Sequence, residues 1–239
     1  MGIPFKIRLL LWQDRFFGKK AENMEPAKAR AYSNEYIKKV MDAIDFAPIQ
    51  MQTVSDVMIP VRDGTQIKVR IYRPSSINDL PVIIYYHGGG FVLYDLESHD
   101  RVCRRLAKTN NAIVVSVEYR LAPEYKFPIP TYDCYDSLMW VQDNIHKIGG
   151  DIDRISVAGD SAGANLATVS CIMSRDHDGP KIHSQILIYP TVDATFQFPS
   201  IERNGKGYLL TKDRMIWFVD QYAVDENDKS DPYLTPIYQ

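Results

Sequence analysis

The chain has 239 residues, of which 45% are hydrophobic and 24% are charged, and its formal net charge is −2. This length can bury the core of one domain and support a small appendage. The near-neutral charge excludes the basic surface typical of a nucleic-acid-binding protein, and no run of about 20 apolar residues could form a transmembrane helix. We therefore expect no nucleic-acid partner, no membrane span and a cytoplasmic location.

The three cysteines, Cys103, Cys134 and Cys171, lie in predicted helices and form no Cys-x-x-Cys pair. An odd number of cysteines without a paired motif favours free thiols in a reducing compartment. The sequence has no cluster of His and Cys residues that supports metal binding, so we expect neither a metal nor a cofactor.

The first third of the chain predicts two helices and a hairpin. Residues 3–17 are typical of a short amphipathic helix, and residues 26–45 predict a second helix with a proline in its first turn. Residues 54–61 and 66–73 favour two strands joined by a turn that contains Asp-Gly.

Strands and helices then alternate along the chain. This alternation predicts an α/β fold with a mostly parallel sheet and helices on both faces. The predicted strands are 81–87, 112–118, 154–158 and 184–189, and the predicted helices are 96–108, 130–147 and 164–173.

The alternation stops in residues 194–223. A loop around 204–207 leads to a predicted helix from about Lys212 to Tyr222, with Thr211 as its N-cap. Residues 225–231 are polar and acidic, which is typical of a loop.

The sequence Gly159-Asp160-Ser161-Ala162-Gly163 matches the G-x-S-x-G pattern of a nucleophile elbow. A strand-forming run precedes it and a helix-compatible run follows it, as this motif requires. The small residues let the chain reverse sharply, so the Ser161 hydroxyl can stand exposed above a sheet. We interpret Ser161 as a nucleophile.

A second motif, His87-Gly88-Gly89-Gly90, follows the predicted strand 81–87. Glycines at this position allow backbone N–H groups to approach a substrate closely and to form an oxyanion hole. The N–H of Ala162, directly after the nucleophile, supplies a further donor.

These two motifs resemble those of the hormone-sensitive-lipase family of α/β hydrolases, which are mostly serine carboxylesterases. Further stretches extend the likeness along nearly the whole chain: 119–124, 127–128, 188–190 and 231–233. The resemblance implies an α/β-hydrolase fold with a helical cap. It divides the chain into N-terminal cap helices (1–50), a core (51–193), a cap insertion (194–224) and the start of a C-terminal core segment (225–239).

The resemblance also assigns roles to particular residues. Ser161 is the expected nucleophile of short-to-medium acyl ester hydrolysis, and the expected oxyanion hole is formed by Gly88, Gly89 and Ala162. We expect His87 and Gly90 to support the oxyanion loop. The residues expected to line the pocket are Phe91, Asp160, Tyr189, Trp217 and Phe218.

The histidines depart from the family pattern. In this fold the triad runs Ser, then Asp or Glu, then His along the chain, but no histidine follows His183. We therefore expect the acid and the histidine beyond residue 239, together with the C-terminal strands and helix of the core. A substitute base within the chain is disfavoured; His99, for example, is expected to have a surface or helix-capping role.

A second hypothesis remains open. A hydrolase-fold protein without its catalytic histidine could bind a small ligand and not hydrolyse it. The expected partner in either case is a small molecule, an acyl ester if the protein is an enzyme. The lack of C-terminal core strands also leaves open a homo-oligomer, or a second polypeptide that completes the fold.

Overall fold

The computed structural model describes residues 20–44 and 47–239. The predicted helix 3–17 lies outside these residues. Helix α1 spans Pro26–Ile44, as expected, and begins where the Glu25 carboxylate accepts from the backbone N–H groups of Ala27 and Lys28. Proline at the first helical position loses no hydrogen bond, because that N–H has no partner inside a helix.

One sheet organises the described chain, in the order β1-β2-β4-β3-β5-β6. Its strands are β1 (Thr53–Pro60), β2 (Gln66–Arg73), β3 (Leu80–Tyr86), β4 (Ile113–Glu118), β5 (Gly150–Asp160) and β6 (Ser184–Ile188). Strands β1 and β2 form the predicted antiparallel hairpin, and β2 continues antiparallel to β4. Strands β4, β3, β5 and β6 are parallel, which confirms the mostly parallel sheet.

The central strands β3 and β4 are buried almost throughout. Their runs of Val, Ile and Tyr lack a polar face because helices cover both sides of the sheet. Since parallel strands end at one edge, the segments that follow β3, β5 and β6 meet there. This edge brings the two glycine-containing motifs together.

The remaining helices are α2 (Asp100–Asn110), α3 (Ile129–Asp143), α4 (Ile145–Ile148), α5 (Ala162–Asp176), α6 (Pro199–Asn204) and α7 (Lys212–Tyr222). Thr211 caps α7 as predicted, since its side chain accepts from the N–H of Arg214. Helix α6 falls in a segment expected to be a loop, and the predicted helix 130–147 is divided at Asn144 into α3 and α4.

Helix α2 begins four residues later than expected. Asp95 and Ser98 close a turn before it: the N–H of Asp95 donates to Ser98 Oγ at 3.0 Å, and the N–H of Ser98 donates to Asp95 Oδ1 at 2.9 Å. Asp and Ser side chains that bond nearby backbone groups compete with helix formation. This turn determines where His99 lies.

No helix within 20–44 and 47–239 has the length and apolar character needed to cross a membrane.

Candidate active site

Ser161 occupies a strained turn between β5 and α5. Its backbone has φ 53° and ψ −118°, a conformation that residues other than glycine rarely adopt. Three hydrogen bonds hold it: the Ser161 N–H donates to Ile188 O at 2.9 Å, and Ser161 O accepts from Asn165 and Thr191. The neighbouring strand β6 and the following helix therefore impose the turn geometry.

The small residues around Ser161 are required by close packing. A side chain at Gly163 would overlap the backbone carbonyl of Tyr86, and one at Gly159 would overlap the backbone of Gly163. Ala162 is the first residue of α5, so its N–H points out of a helix N-terminus, where the helix dipole favours negative charge.

The loop of residues 87–90, called the oxyanion loop after its predicted role, lies beside this turn. The Gly88 N–H donates to Asp160 Oδ1 at 2.9 Å. The expectation that Gly88 belongs to the oxyanion hole is therefore wrong, because the carboxylate already occupies that donor. Gly89 and Gly90 have φ of 122° and 61°, which glycine adopts without strain, and both border the same cavity as Ser161.

His87 supports the loop from inside the core. The ring is fully buried, stacks on Tyr119 with centroids 4.4 Å apart, and places Nδ1 2.7 Å from Gly88 O. A carbonyl only accepts, so Nδ1 carries the proton. Nε2 is unprotonated and has no hydrogen-bond partner among the described residues. Burial, together with the charge of His99, lowers the pKa of His87 to about 4.

The Asp160 carboxylate is turned toward the oxyanion loop. Its Oδ1 accepts from the Gly88 N–H, from the Tyr85 hydroxyl at 2.8 Å and from His99 Nε2 at 3.2 Å. Burial alone would raise the pKa of Asp160, but the hydrogen bond and charge of His99, with the other two donors, hold it below its usual value. Asp160 is therefore an ionised group that orders the loop.

His99 does not have the surface or capping role expected from the sequence. It stands directly before α2, yet its side chain makes no capping hydrogen bond. The side chain is only 12% exposed and faces Asp160, whose side chain is 14% exposed. The sequence contained no local signal of this contact, because the two residues are joined only by the packing of α2 against the sheet.

A cavity of about 350 Å³ opens above Ser161. Residues of helix α1 and of the segment that includes α7 line this cavity together with Ser161. Arg30 ties α1 to the core, with Nε donating to Val92 O at 2.7 Å and Nη2 donating to Ala122 O at 2.9 Å. The lining residues that the sequence did not single out are Ala21, Tyr32, Ser33, Tyr36, Ile37, Val40, Leu93, Tyr94, Leu209, Leu210 and Arg214.

Of the five residues expected to line this pocket, two border the cavity and three lie elsewhere. Asp160 and Phe218 border the cavity. Phe91 instead lies in the core, stacked on Tyr222 with centroids 3.9 Å apart, and Tyr189 is 74% exposed. Trp217 packs against Phe218 but does not reach the cavity wall described here. The apolar character of the four aromatic side chains predicted that they would be buried, but it could not predict which of them border the cavity.

None of the five histidines lines this cavity in the described part of the chain. His99 and His87 lie behind the oxyanion loop. His177 follows the last turn of α5, His146 lies in α4, and His183 stands directly before β6. These last three are at the amino ends of parallel strands or beside them, away from the edge where Ser161 stands.

A larger surface cavity, of about 630 Å³, lies between the end of α5 and the start of β6. Its lining includes Cys171, His183 and Gln185 but no residue of either motif. Ligand sites of parallel α/β sheets form at the carboxyl ends of the strands, which is the opposite edge. The smaller cavity is therefore the candidate active site.

Residues 83–239, which include the strained serine and the glycine loop, match the family model described as "alpha/beta hydrolase fold". The chain belongs to the α/β-hydrolase fold family, within its hormone-sensitive-lipase-like esterase group.

Several relatives are named as esterases or ester hydrolases. The carboxylesterase NlhH of Mycobacterium tuberculosis is 40% identical over 218 residues, covering 90% of this chain and 65% of the relative. The ethyl acetate hydrolase of Pseudomonas putida is 37% identical over 190 residues, covering 77% of this chain and 59% of the relative. A hyperthermophilic esterase from the archaeon Pyrobaculum calidifontis superposes with a TM-score of 0.91 at 41% identity, covering 100% of this chain and 76% of that one.

This chain thus spans about six tenths of the length of these curated relatives.

Proposed function

We propose that the protein is a serine carboxylesterase that hydrolyses short-to-medium acyl esters through an acyl-enzyme on Ser161. The observation that carries the proposal is the placement of Ser161. It stands at positive φ at the N-terminus of α5 and borders one cavity with the backbones of Gly89 and Gly90. The names of the relatives support the same chemistry.

The N–H groups of Gly89, Gly90 and Ala162 bind the oxyanion in this proposal. Gly88 has a different task, because its N–H is fixed by Asp160 and holds the loop in register. Each donor aimed at the developing charge contributes about 3 kcal/mol in the transition state. The N-terminus of α5 adds favourable potential at the same place.

The reaction proceeds in two halves. A histidine oriented by an acid, the pair that completes a serine triad in this fold, takes the Ser161 proton as Ser161 Oγ attacks the ester carbonyl carbon. The tetrahedral intermediate collapses, the alcohol leaves with the proton from that histidine, and an acyl-serine remains. Water then attacks the acyl-serine in the same way and releases the acid.

The size of the cavity supports the proposed substrate range. A volume of about 350 Å³ is at the low end of small-molecule sites. The walls formed by Val40, Leu93, Leu210 and Phe218 favour an unbranched acyl chain of modest length. The substrate is a small-molecule ester, and no cofactor takes part.

The first experiment measures the intact mass of the purified protein before and after exposure to a fluorophosphonate. We expect one adduct, together with hydrolysis of p-nitrophenyl butyrate, and we expect Ser161→Ala to abolish both. The matched control is Ser76→Ala, which changes an exposed serine and should retain both.

The two functional hypotheses give different results. An adduct that persists in Ser161→Ala would refute the nucleophile assignment. A wild-type protein that binds butyrate but forms no adduct and hydrolyses no ester would instead be a hydrolase-fold binding protein.

A further inference from the structure

Three donors converge on one oxygen of Asp160 behind the oxyanion loop. The Gly88 N–H, the Tyr85 hydroxyl and His99 Nε2 all contact Oδ1, at 2.9, 2.8 and 3.2 Å. Only the first of these belongs to the loop. The other two come from β3 and from the residue before α2, so they fix the carboxylate from the side of the core.

The hydrogen bonds around His99 determine the orientation of its ring. Ser98 Oγ donates its proton to Asp95 O at 2.6 Å and accepts from the Asp95 N–H at 3.0 Å. His99 Nδ1 lies 2.9 Å from the same oxygen. Nε2 donates to the Asp160 carboxylate at 3.2 Å. Both ring nitrogens therefore have polar partners, which fix the orientation of the ring.

His99 and Asp160 thus form a mostly buried hydrogen-bonded pair. Removal of His99 would leave the buried Asp160 carboxylate with one donor fewer, and a buried charge is costly when its hydrogen bonds are incomplete. The surrounding rings restrict its position: His87, Tyr94 and Tyr85 have centroids 5.5, 5.9 and 6.1 Å from that of His99. The imidazole ring can move little without leaving the carboxylate.

The position of Asp160 is transmitted directly to the oxyanion loop. A Cβ on Gly88 would lie 2.8 Å from Asp160 O and would overlap the Asp160 carboxylate, so the two segments are in close contact. A shift of the carboxylate therefore moves the Gly88 N–H and, with it, the adjoining backbone of Gly89 and Gly90. Misplacement of such groups by about 1 Å can lower a rate by about a hundredfold.

We propose that His99 is a positioning residue for ester hydrolysis, which acts by holding the Asp160 carboxylate that fixes the oxyanion loop. This inference rests on the proposed function of the same site. His99 does not touch the substrate, and it lies behind the loop and outside the cavity wall. Its removal should therefore weaken stabilisation of the transition state and leave substrate binding almost unchanged.

The test compares His99→Ala and His99→Gln with the wild type, using p-nitrophenyl butyrate and the intact purified protein. We expect His99→Ala to lower kcat by about ten- to a hundredfold with KM within about twofold. We expect His99→Gln, whose amide can still donate to Asp160, to recover much of the lost kcat. His146→Ala, in helix α4, is the matched control and should retain wild-type kinetics.

A second variant keeps the test decisive if His99→Ala does not fold. Tyr85→Phe removes another donor to the same oxygen and should lower kcat selectively as well. A folded His99→Ala or Tyr85→Phe protein that keeps the wild-type kcat would overturn the positioning role alone. A variant whose only change is a raised KM would overturn it as well. Absence of Ser161-dependent hydrolysis in the wild type would overturn the proposed function and this inference together.

Discussion

Replacement of His87 by asparagine tests how this buried ring affects the stability of the protein in acid. His87 is fully buried, and it keeps one proton on Nδ1, which donates to Gly88 O. Protonation would place a second N–H on Nε2, for which the described residues provide no acceptor. Asparagine retains an amide donor near the same carbonyl but cannot titrate.

The size and sign of the effect follow from the pKa of His87, which burial and the His99 charge lower from 6.5 to about 4. Because the folded pKa is below the unfolded pKa, the unfolded chain binds the proton first as the pH falls. The stabilising contribution is complete above pH 6.5 and is lost between pH 6.5 and about 4. Protonation of His87 alone therefore lowers the free energy of unfolding, relative to its value at neutral pH, by about 2 kcal/mol at pH 5 and about 3 kcal/mol at pH 4.

The assay is urea unfolding at intervals from pH 7.5 to 4.5, followed by tryptophan fluorescence. His87→Asn should be less stable than the wild type at pH 7.5, because it loses the ring stacked on Tyr119, but its stability should fall less steeply with acid. The control His183→Asn changes an exposed histidine and should keep the wild-type slope. Parallel curves for the wild type and His87→Asn below pH 6.5 would refute this assignment.

Two further predictions concern the geometry of the site. Gly88→Ala forces a methyl group against Asp160 and should lower kcat by about tenfold or more. The far-ultraviolet circular dichroism spectrum should remain unchanged. A wild-type kcat would show that the loop does not depend on this contact. Leu210→Trp fills the wall of the cavity and should raise KM for p-nitrophenyl octanoate more than for p-nitrophenyl acetate. An equal change for both esters would place the acyl chain elsewhere.

Local sequence patterns predicted the sharp strand-to-helix turn at Ser161 because its requirements are steric. The chain at Gly159 and Gly163 packs so closely that no side chain fits, and the fully buried strands β3 and β4 need apolar residues on both faces. The hairpin and the N-cap at Thr211 depend on residues close together in sequence. Patterns of this kind can be recognised in one sequence without knowledge of the fold.

The pocket lining was harder to predict. Phe91 was expected in the cavity wall and lies in the core, whereas the consecutive leucines Leu209 and Leu210 border the cavity although they stand in a loop. Their apolar character in an otherwise polar loop was the available signal. Hydrophobicity indicates that a side chain leaves water, but not which neighbours surround it.

The sequence by itself determined the fold class, the nucleophile motif and the glycine loop, since each depends on spacing and residue size along a short segment. Only the tertiary structure decided that the Gly88 N–H is bonded to Asp160 and that His99 contacts the same carboxylate. The bond from Gly88 to Asp160 joins residues 72 positions apart, and the contact of His99 with Asp160 requires α2, β3 and β5 to pack together. Such contacts arise from the arrangement of the whole sheet, and no local pattern encodes them.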